Sequence, residues 1–257
     1  MNEFQPFGIT VQEYLYDPRN KDSFSEKSKE VLETRPDAVV MAPMFYSESV
    51  ELMRCCNDLK LKVALFNNYI DGFDTENFIG QDLNQTGLVG GGLIDKLTQD
   101  QEEIAVVHIN EERHMVQKEL GFKDYFKAKG MELERIVTCN FDSSDSECFK
   151  KEVSCFFGNN PSIKAIFVTN SKSYMLADVL KELNKKIHIV GYDLLKQNVE
   201  HLLEGRIDFL LHQKPQRQAY LSVQFLVEHF LFGKRIPSTK MLPIDIITSE
   251  NFMFYLD

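Results

Sequence analysis

Five polar residues each stand directly behind a short apolar run: Asn67 after KVALF, Asp82 after NFIGQ, Asn170 after AIFVT, Asp193 after IHIVGY and Gln213 after IDFLLH. Carboxylates and carboxamides exchange hydrogen bonds with hydroxyl and amine groups, and no Lys or Arg stands among the five. That set suits a neutral polar ligand. At any single position an Asx-turn or a helix cap is the better explanation of the residue; five together at equivalent positions point to recognition. Tyr46, Tyr69 and Tyr192 each adjoin the end of an apolar run, where a ring could stack on the apolar face of a sugar or serve as ordinary core.

Other constellations point to chemistry less well. The segment GQDLNQTGLVGGG (80–92) lies where a dinucleotide-binding loop would sit, but Gly87, Gly90, Gly91 and Gly92 do not make G-x-G-x-x-G, and no Lys-Ser/Thr pair follows. Close backbone packing near a hinge accounts for them better. HINEERH (108–114) gathers two His and two Glu without the spacing of H-E-x-x-H or H-x-x-E-H, so it is expected to be a solvated loop and not a metal site. The five cysteines, Cys55, Cys56, Cys139, Cys148 and Cys155, are odd in number and carry no evident activating partner. They are expected to be reduced thiols. No cofactor is called for, and no catalytic residue is assigned.

The elements that must position these residues follow from apolar periodicity. ITVQEYLY (9–16) alternates as a strand, and Ser23 with Glu26 has capping-box spacing for a helix running to about Thr34. DAVVMAP (37–43) reads as a strand buried on both faces. A helix over 47–59, strands over 62–67 and 77–82, and then strands over 104–109, 133–140, 165–170, 187–193 and 207–213 follow. Helices near 85–97, 113–129, 145–157, 173–183, 195–203 and 215–232 separate or follow them. This alternation predicts an α/β fold with right-handed crossovers and parallel sheets, in which ligands bind outside the carboxyl ends of the strands.

Size and charge narrow the function. The 257 residues hold about two domains. With 29 Lys and Arg against 39 Asp and Glu, the net charge is -10, which repels nucleic acid and acidic membrane surfaces. No apolar run approaches the ~20 residues of a membrane span. The start, MNEFQPFG, lacks the basic and apolar regions of an export signal, so a cytoplasmic location is expected.

Taken in order, NFIGQDLNQTG, LGFKDYF, AIFVTNS, HIVGYDLL, IDFLLHQKPQRQAY and LPIDIITSEN resemble the effector domains of LacI-type regulators, which use the type I periplasmic-binding-protein fold. The resemblance implies two Rossmann-like lobes, residues 1–82 with 214–244 and residues 83–213 with 245–257, clamping a small ligand between them. It implies crossings near Asp82, Gln213 and Ile244, and ligand contacts from Asn67, Asn68, Asn170, Asp193 and Gln213, to which Tyr46 is added as a stacking ring. Lys118, also expected to contact the ligand, stands where the family's R-x-x-G-F motif has its arginine. Lys lacks the planar fork that grips two oxygens at once. By the same resemblance the first lobe is expected to be incomplete at its start, without its first strand and helix, and a DNA-binding headpiece would have to lie outside this chain. The reading expected is a homodimeric sensor of a sugar or sugar-like ligand. Its rivals are a transport or chemoreception binding protein and a nucleotide-dependent α/β enzyme using the glycines at 87–92.

Overall fold

A computed structural model describes residues 2–70, 72, 77–99, 102–110 and 112–256. In chain order the helices and strands are α1 (Lys21–Glu33), β1 (Ala38–Met41), α2 (Tyr46–Asp58), β2 (Lys62–Phe66), β3 (Asn77–Gly80), α3 (Leu83–Leu97), β4 (Glu103–Ile109), α4 (Arg113–Ala128), β5 (Ile136–Phe141), α5 (Ser146–Asn159), β6 (Ile163–Val168), α6 (Ser173–Glu182), β7 (His188–Tyr192), α7 (Lys196–Leu203), β8 (Phe209–His212), α8 (Pro215–Phe232), β9 (Thr239–Met241) and β10 (Asp245–Ile247). The chain divides into two units, 1–80 with 214–242 and 81–213 with 243–257. The α/β fold with parallel sheets in two lobes is the one expected. The crossings fall at 80/81, 213/214 and 242/243, so Asp82 and Ile244 lie inside the second unit.

The first unit holds a parallel sheet of order β1-β2-β3-β9. Val39, Met41, Val63 and Leu65 bury one face against Phe24, Leu52, Met53 and Cys56 of α1 and α2. The opposite face carries Ala64 with Leu226 and Ile236. Residues 9–16 form no strand, contrary to their alternation. An alternating pattern becomes a strand only when a neighbour takes its backbone hydrogen bonds. Here these residues border a cavity of about 690 Å³ whose other wall includes β1, the edge of the sheet.

Helix α1 begins two residues before the expected cap. Asn20 Oδ1 accepts from the backbone N–H groups of Asp22 and Ser23, whereas Ser23 Oγ accepts from the Asp17 N–H at 3.2 Å. Loss of a true N-cap costs about 1 kcal/mol. Asn20→Ala is therefore expected to lower stability by about that amount and Ser23→Ala by clearly less, as read from urea midpoints; equal losses would restore the capping box to Ser23.

The second unit holds a sheet of order β10-β8-β7-β6-β4-β5, parallel except for β10. Alternate residues of its central strands feed two cores. Ala105, Val107, Ile166 and Val168 face one, while Ile104, Val106, Ala165 and Phe167 face the other. This is why those strands read as continuous apolar runs. Helices α3 and α4 cover one face at very close range: a Cβ on Gly87 would lie 2.0 Å from the Lys118 carbonyl oxygen, and one on Gly121 would lie 1.9 Å from that of Asn84. Gly87 thus serves backbone packing, while Gly90 makes room for the Phe167 ring and Gly91 and Gly92 for the Tyr125 side chain. Strands β9 and β10 were not anticipated, since three residues are too few to show a period.

Candidate functional site

In the second unit the crossover through α4 leads from β4 outward to β5, and α5 returns to β6 on the other side of β4. The strand order therefore reverses between the parallel neighbours β4 and β6, and ligands of open α/β sheets bind in the crevice at such a point. Asn170 stands there, nearly buried. Its Nδ2 donates to the Ile109 carbonyl at 2.7 Å and its Oδ1 accepts from the Lys172 N–H at 3.2 Å, tying the ends of β4 and β6 together.

Asp193 follows β7 with a left-handed backbone, φ 61°. Its carboxylate meets Gln213 at the end of β8, where Oδ1 accepts from the Gln213 N–H at 2.9 Å and Oδ2 accepts from Nε2 at 2.7 Å. His212 Nδ1 lies 3.6 Å from Oδ1. Behind them the fully buried Asn198 clips two loops, donating to the carbonyls of Ser171, Tyr192 and Asp193 and accepting from the Tyr174 N–H. Asn198 was missed by sequence reasoning. Its only signal is an amide at a core-facing position of α7.

Lys118 is buried completely. Its Nζ donates to the Thr169 carbonyl at 3.0 Å and to Gln213 Oε1 at 3.3 Å, and lies 3.8 Å from the centre of the Tyr192 ring. Burial pulls its pKa down to about 8, against the attraction of Asp193 and Glu112. Tyr192 is itself core and offers no exposed stacking face. The expected solvated loop at 108–114 is corrected as well. His108 is the buried penultimate residue of β4, bonded through Nδ1 to Thr169 Oγ1 at 2.8 Å and through Nε2 to Glu119 Oε2 at 2.7 Å. That bond, joined by Lys123 and Thr138, draws the Glu119 carboxyl down to about 2. Burial, with Lys118 and His108 nearby, lowers His114 to about 3 and keeps it neutral. Burial raises Glu112, although Lys172 and Lys118 oppose it. A histidine inside the apolar run IAVVHI was the available signal.

In the first unit Asn67 directly follows β2 with φ 66°, its N–H shared between Gln218 Oε1 at 2.7 Å and the Ile79 carbonyl at 3.0 Å. Asn68 follows, its Nδ2 3.5 Å from the Pro43 carbonyl. Tyr46 opens α2 and is exposed, as is Tyr69, whose ring centre lies 5.6 Å from that of Phe78. Around the crossings the expected hinge residues have local duties. Asp82 caps α3, accepting from the Gln85 N–H at 2.9 Å, and Ile244 packs on the second unit's core. Gln81 was missed: its buried Nε2 donates to the carbonyls of His212 at 3.0 Å and Pro243 at 2.8 Å, joining the three strands of chain that leave the second unit.

Among the described residues no group of three His, Cys, Asp or Glu could hold a metal ion, and no helix is long and apolar enough to cross a membrane. Burial pushes the Cys56 thiol up to about 11 and that of Cys139 up to about 12, so neither supplies a thiolate at neutral pH. The arrangement at the ends of β6, β7 and β8 is thus one of fixed carboxylate and carboxamide groups suited to binding.

Two parallel-sheet units joined by three crossings, with polar groups at the strand ends, define a binding-protein architecture. The periplasmic binding protein domain matches residues 5–235, and the chain belongs to that family. A structure described as a putative LacI transcriptional regulator from Bacteroides fragilis is 27% identical, with a TM-score of 0.91 over 99% of this chain and 90% of that one. A solute-binding protein of an ABC transporter from Burkholderia graminis, in complex with D-arabinose, is 17% identical with a TM-score of 0.85, covering 98% of this chain and 89% of that one, and shares the fold. The xylose/arabinose-binding protein XylF of Sulfolobus acidocaldarius is 26% identical over 109 residues, 39% of this chain, and the match spans only about a quarter (26%) of that relative's length.

Proposed function

We propose that this chain is the effector-binding part of a cytoplasmic transcription regulator and that it senses a sugar or sugar-like polar ligand without transforming it. The observation that carries the ligand class is the Asp193–Gln213 pair at the ends of β7 and β8, beside Asn170 at the switch point. A carboxylate held in place by an amide has lone pairs for ligand hydroxyls. A wrong ligand that shuts such a group off from water and leaves it unpaired costs about 1–3 kcal/mol, which is the basis of selectivity. Asn67, Asn68 and Tyr46 are the contacts this reading assigns to the first unit.

The regulator form is supported by the similarity to the Bacteroides fragilis protein, and it implies a homodimer that reaches DNA only through a headpiece outside these residues. The second reading, a transport binding protein of the same ligand class, draws on the similarity to XylF, a xylose/arabinose-binding protein. A sedimentation experiment separates them: a dimer at micromolar concentration favours the regulator, and a monomer throughout favours transport.

The test of ligand binding is a thermal-shift screen against pentoses, hexoses, disaccharides, sugar acids, sugar phosphates and nucleotides, with Asp193→Asn in parallel. Asn tolerates the left-handed backbone at this position, so the variant removes charge without adding strain. A native-state ligand at 100 times its Kd adds about 2.7 kcal/mol, a rise of about 5–10 °C for a chain of this size. The expected result is a rise with neutral sugars that is lost in the variant. A rise with nucleotides alone would favour an enzyme reading, with the nucleotide held elsewhere than at the packed glycines of 87–92.

A further inference from the structure

Resting on that reading, the interior of the second unit assigns a role to a cation that is closed off from solvent. Lys118 is fully buried, and each contact of its ammonium is with the protein: the Thr169 carbonyl, Gln213 Oε1 and the Tyr192 ring. At the far end of the same carboxamide, Gln213 Nε2 donates to Asp193 Oδ2 at 2.7 Å, and the Gln213 backbone N–H donates to Oδ1 at 2.9 Å. An ammonium only donates and a carboxylate only accepts, so the amide between them has one orientation: oxygen inward, nitrogen outward. A reversed amide would set its NH₂ against the ammonium and its oxygen against the carboxylate.

We propose that Lys118 is a positioning residue which, acting through Gln213, holds the Asp193 carboxylate as a hydrogen-bond acceptor and so selects ligands that donate, uncharged polyols and aldoses, over their carboxylate and phosphate derivatives. The Lys118 charge is not offered to a ligand anion, because it is enclosed and already engaged. Asp193 presents like charge to a carboxylate or phosphate placed beside it.

The proposal has a reporter that needs no ligand. Lys118 titrates near pH 8. The groups around it are Glu112 before α4, His114 on α4, Tyr192 at the end of β7 and Asp193 just after it; Lys172 lies beyond Glu112, and His108 of β4 shares Thr169 with Lys118. In protein carrying ¹⁵N-glutamine, the Gln213 side-chain resonances are expected to shift with an inflection near pH 8, and Lys118→Met is expected to abolish it. Lys118→Gln, which keeps a donor without the charge, serves if the Met variant does not fold. The second arm is calorimetry with D-arabinose, D-galactose and D-glucose against D-gluconate and ribose 5-phosphate. The parent is expected to bind at least one neutral sugar, at least tenfold tighter than either anion. That affinity should fall above pH 8, whereas Lys118→Met should be tenfold or more weaker at pH 7 and flat across the same range.

If Gln213 shows no inflection, the positioning role is wrong whatever binds. If the inflection is present but no probe binds, the positioning role stands and the sugar-sensing reading fails. Preference for an anionic probe would overturn the selectivity assigned to Lys118 while leaving a binding function intact.

Discussion

Gly121→Ala is expected to lose about 2 kcal/mol of stability, and Gly158→Ala is expected to gain up to about 1 kcal/mol, although both place one methyl group on an α-helix. In a helix interior Ala is worth up to about 1 kcal/mol more than Gly. At Gly158 on α5 nothing lies within 4 Å of the new Cβ, so that gain is free to appear. At Gly121 the Cβ would sit 1.9 Å from the Asn84 carbonyl oxygen, which is backbone and has no rotamer to change. Helices α3 and α4 would have to separate, and overpacking of that kind costs about 3 kcal/mol. At about 2–4 °C per kcal/mol for a chain of this size, the two variants should melt on opposite sides of the parent. A Gly121→Ala protein as stable as the parent would mean that the two helices do not approach so closely.

The second large effect is a pH profile with two slopes. His114 falls from 6.5 to about 3 on folding because it is buried, with Lys118 and His108 nearby. Glu119 falls from 4.5 to about 2 chiefly through its bond to His108. In both cases the unfolded chain binds more protons within the window, so stability declines as pH falls, from 6.5 for His114 and from 4.5 for Glu119. Lys118 is also depressed, from 10.5 to about 8. The unfolded chain again holds the extra proton, and stability rises as pH climbs from 8 to 10.5. Each pKa unit corresponds to about 1.4 kcal/mol, so His114 and Lys118 are each worth a change on the order of several kcal/mol. Urea unfolding at pH 4, 7 and 10 reads both slopes. His114→Leu should flatten much of the acid limb and Lys118→Met the alkaline one, whereas unchanged limbs would place these side chains in solvent. The alkaline limb also separates stability from recognition, because above pH 8 the fold gains while neutral-sugar affinity is expected to fall.

How far the sequence reaches shows at particular residues. The alternation of strands and helices was legible because each central strand buries both faces and must be apolar throughout, as Ile104 to Val107 and Ala165 to Val168 are. The placing of Asn67, Asn170, Asp193 and Gln213 at strand ends was legible for the same reason, since the end of an apolar run marks the end of a strand. Residues 9–16 misled, because alternation records a preference for pairing and not the presence of a partner. Ser23 misled in a smaller way, since two residues with capping chemistry stood three apart and only the backbone chose Asn20.

By itself, then, the sequence determined the fold class, the packing role of the glycines and the acidic, amide-rich character of the strand ends, all properties of local spacing and composition. Only the tertiary structure decided that Lys118 lies inside, that His108 and Glu119 join it through Thr169, and that Gln213 turns its oxygen inward and its nitrogen to Asp193. Those residues come from α4, β4 and the ends of β6, β7 and β8, far apart in the chain. Burial and hydrogen-bond direction depend on what the folded chain brings beside them, which no spacing along the sequence encodes.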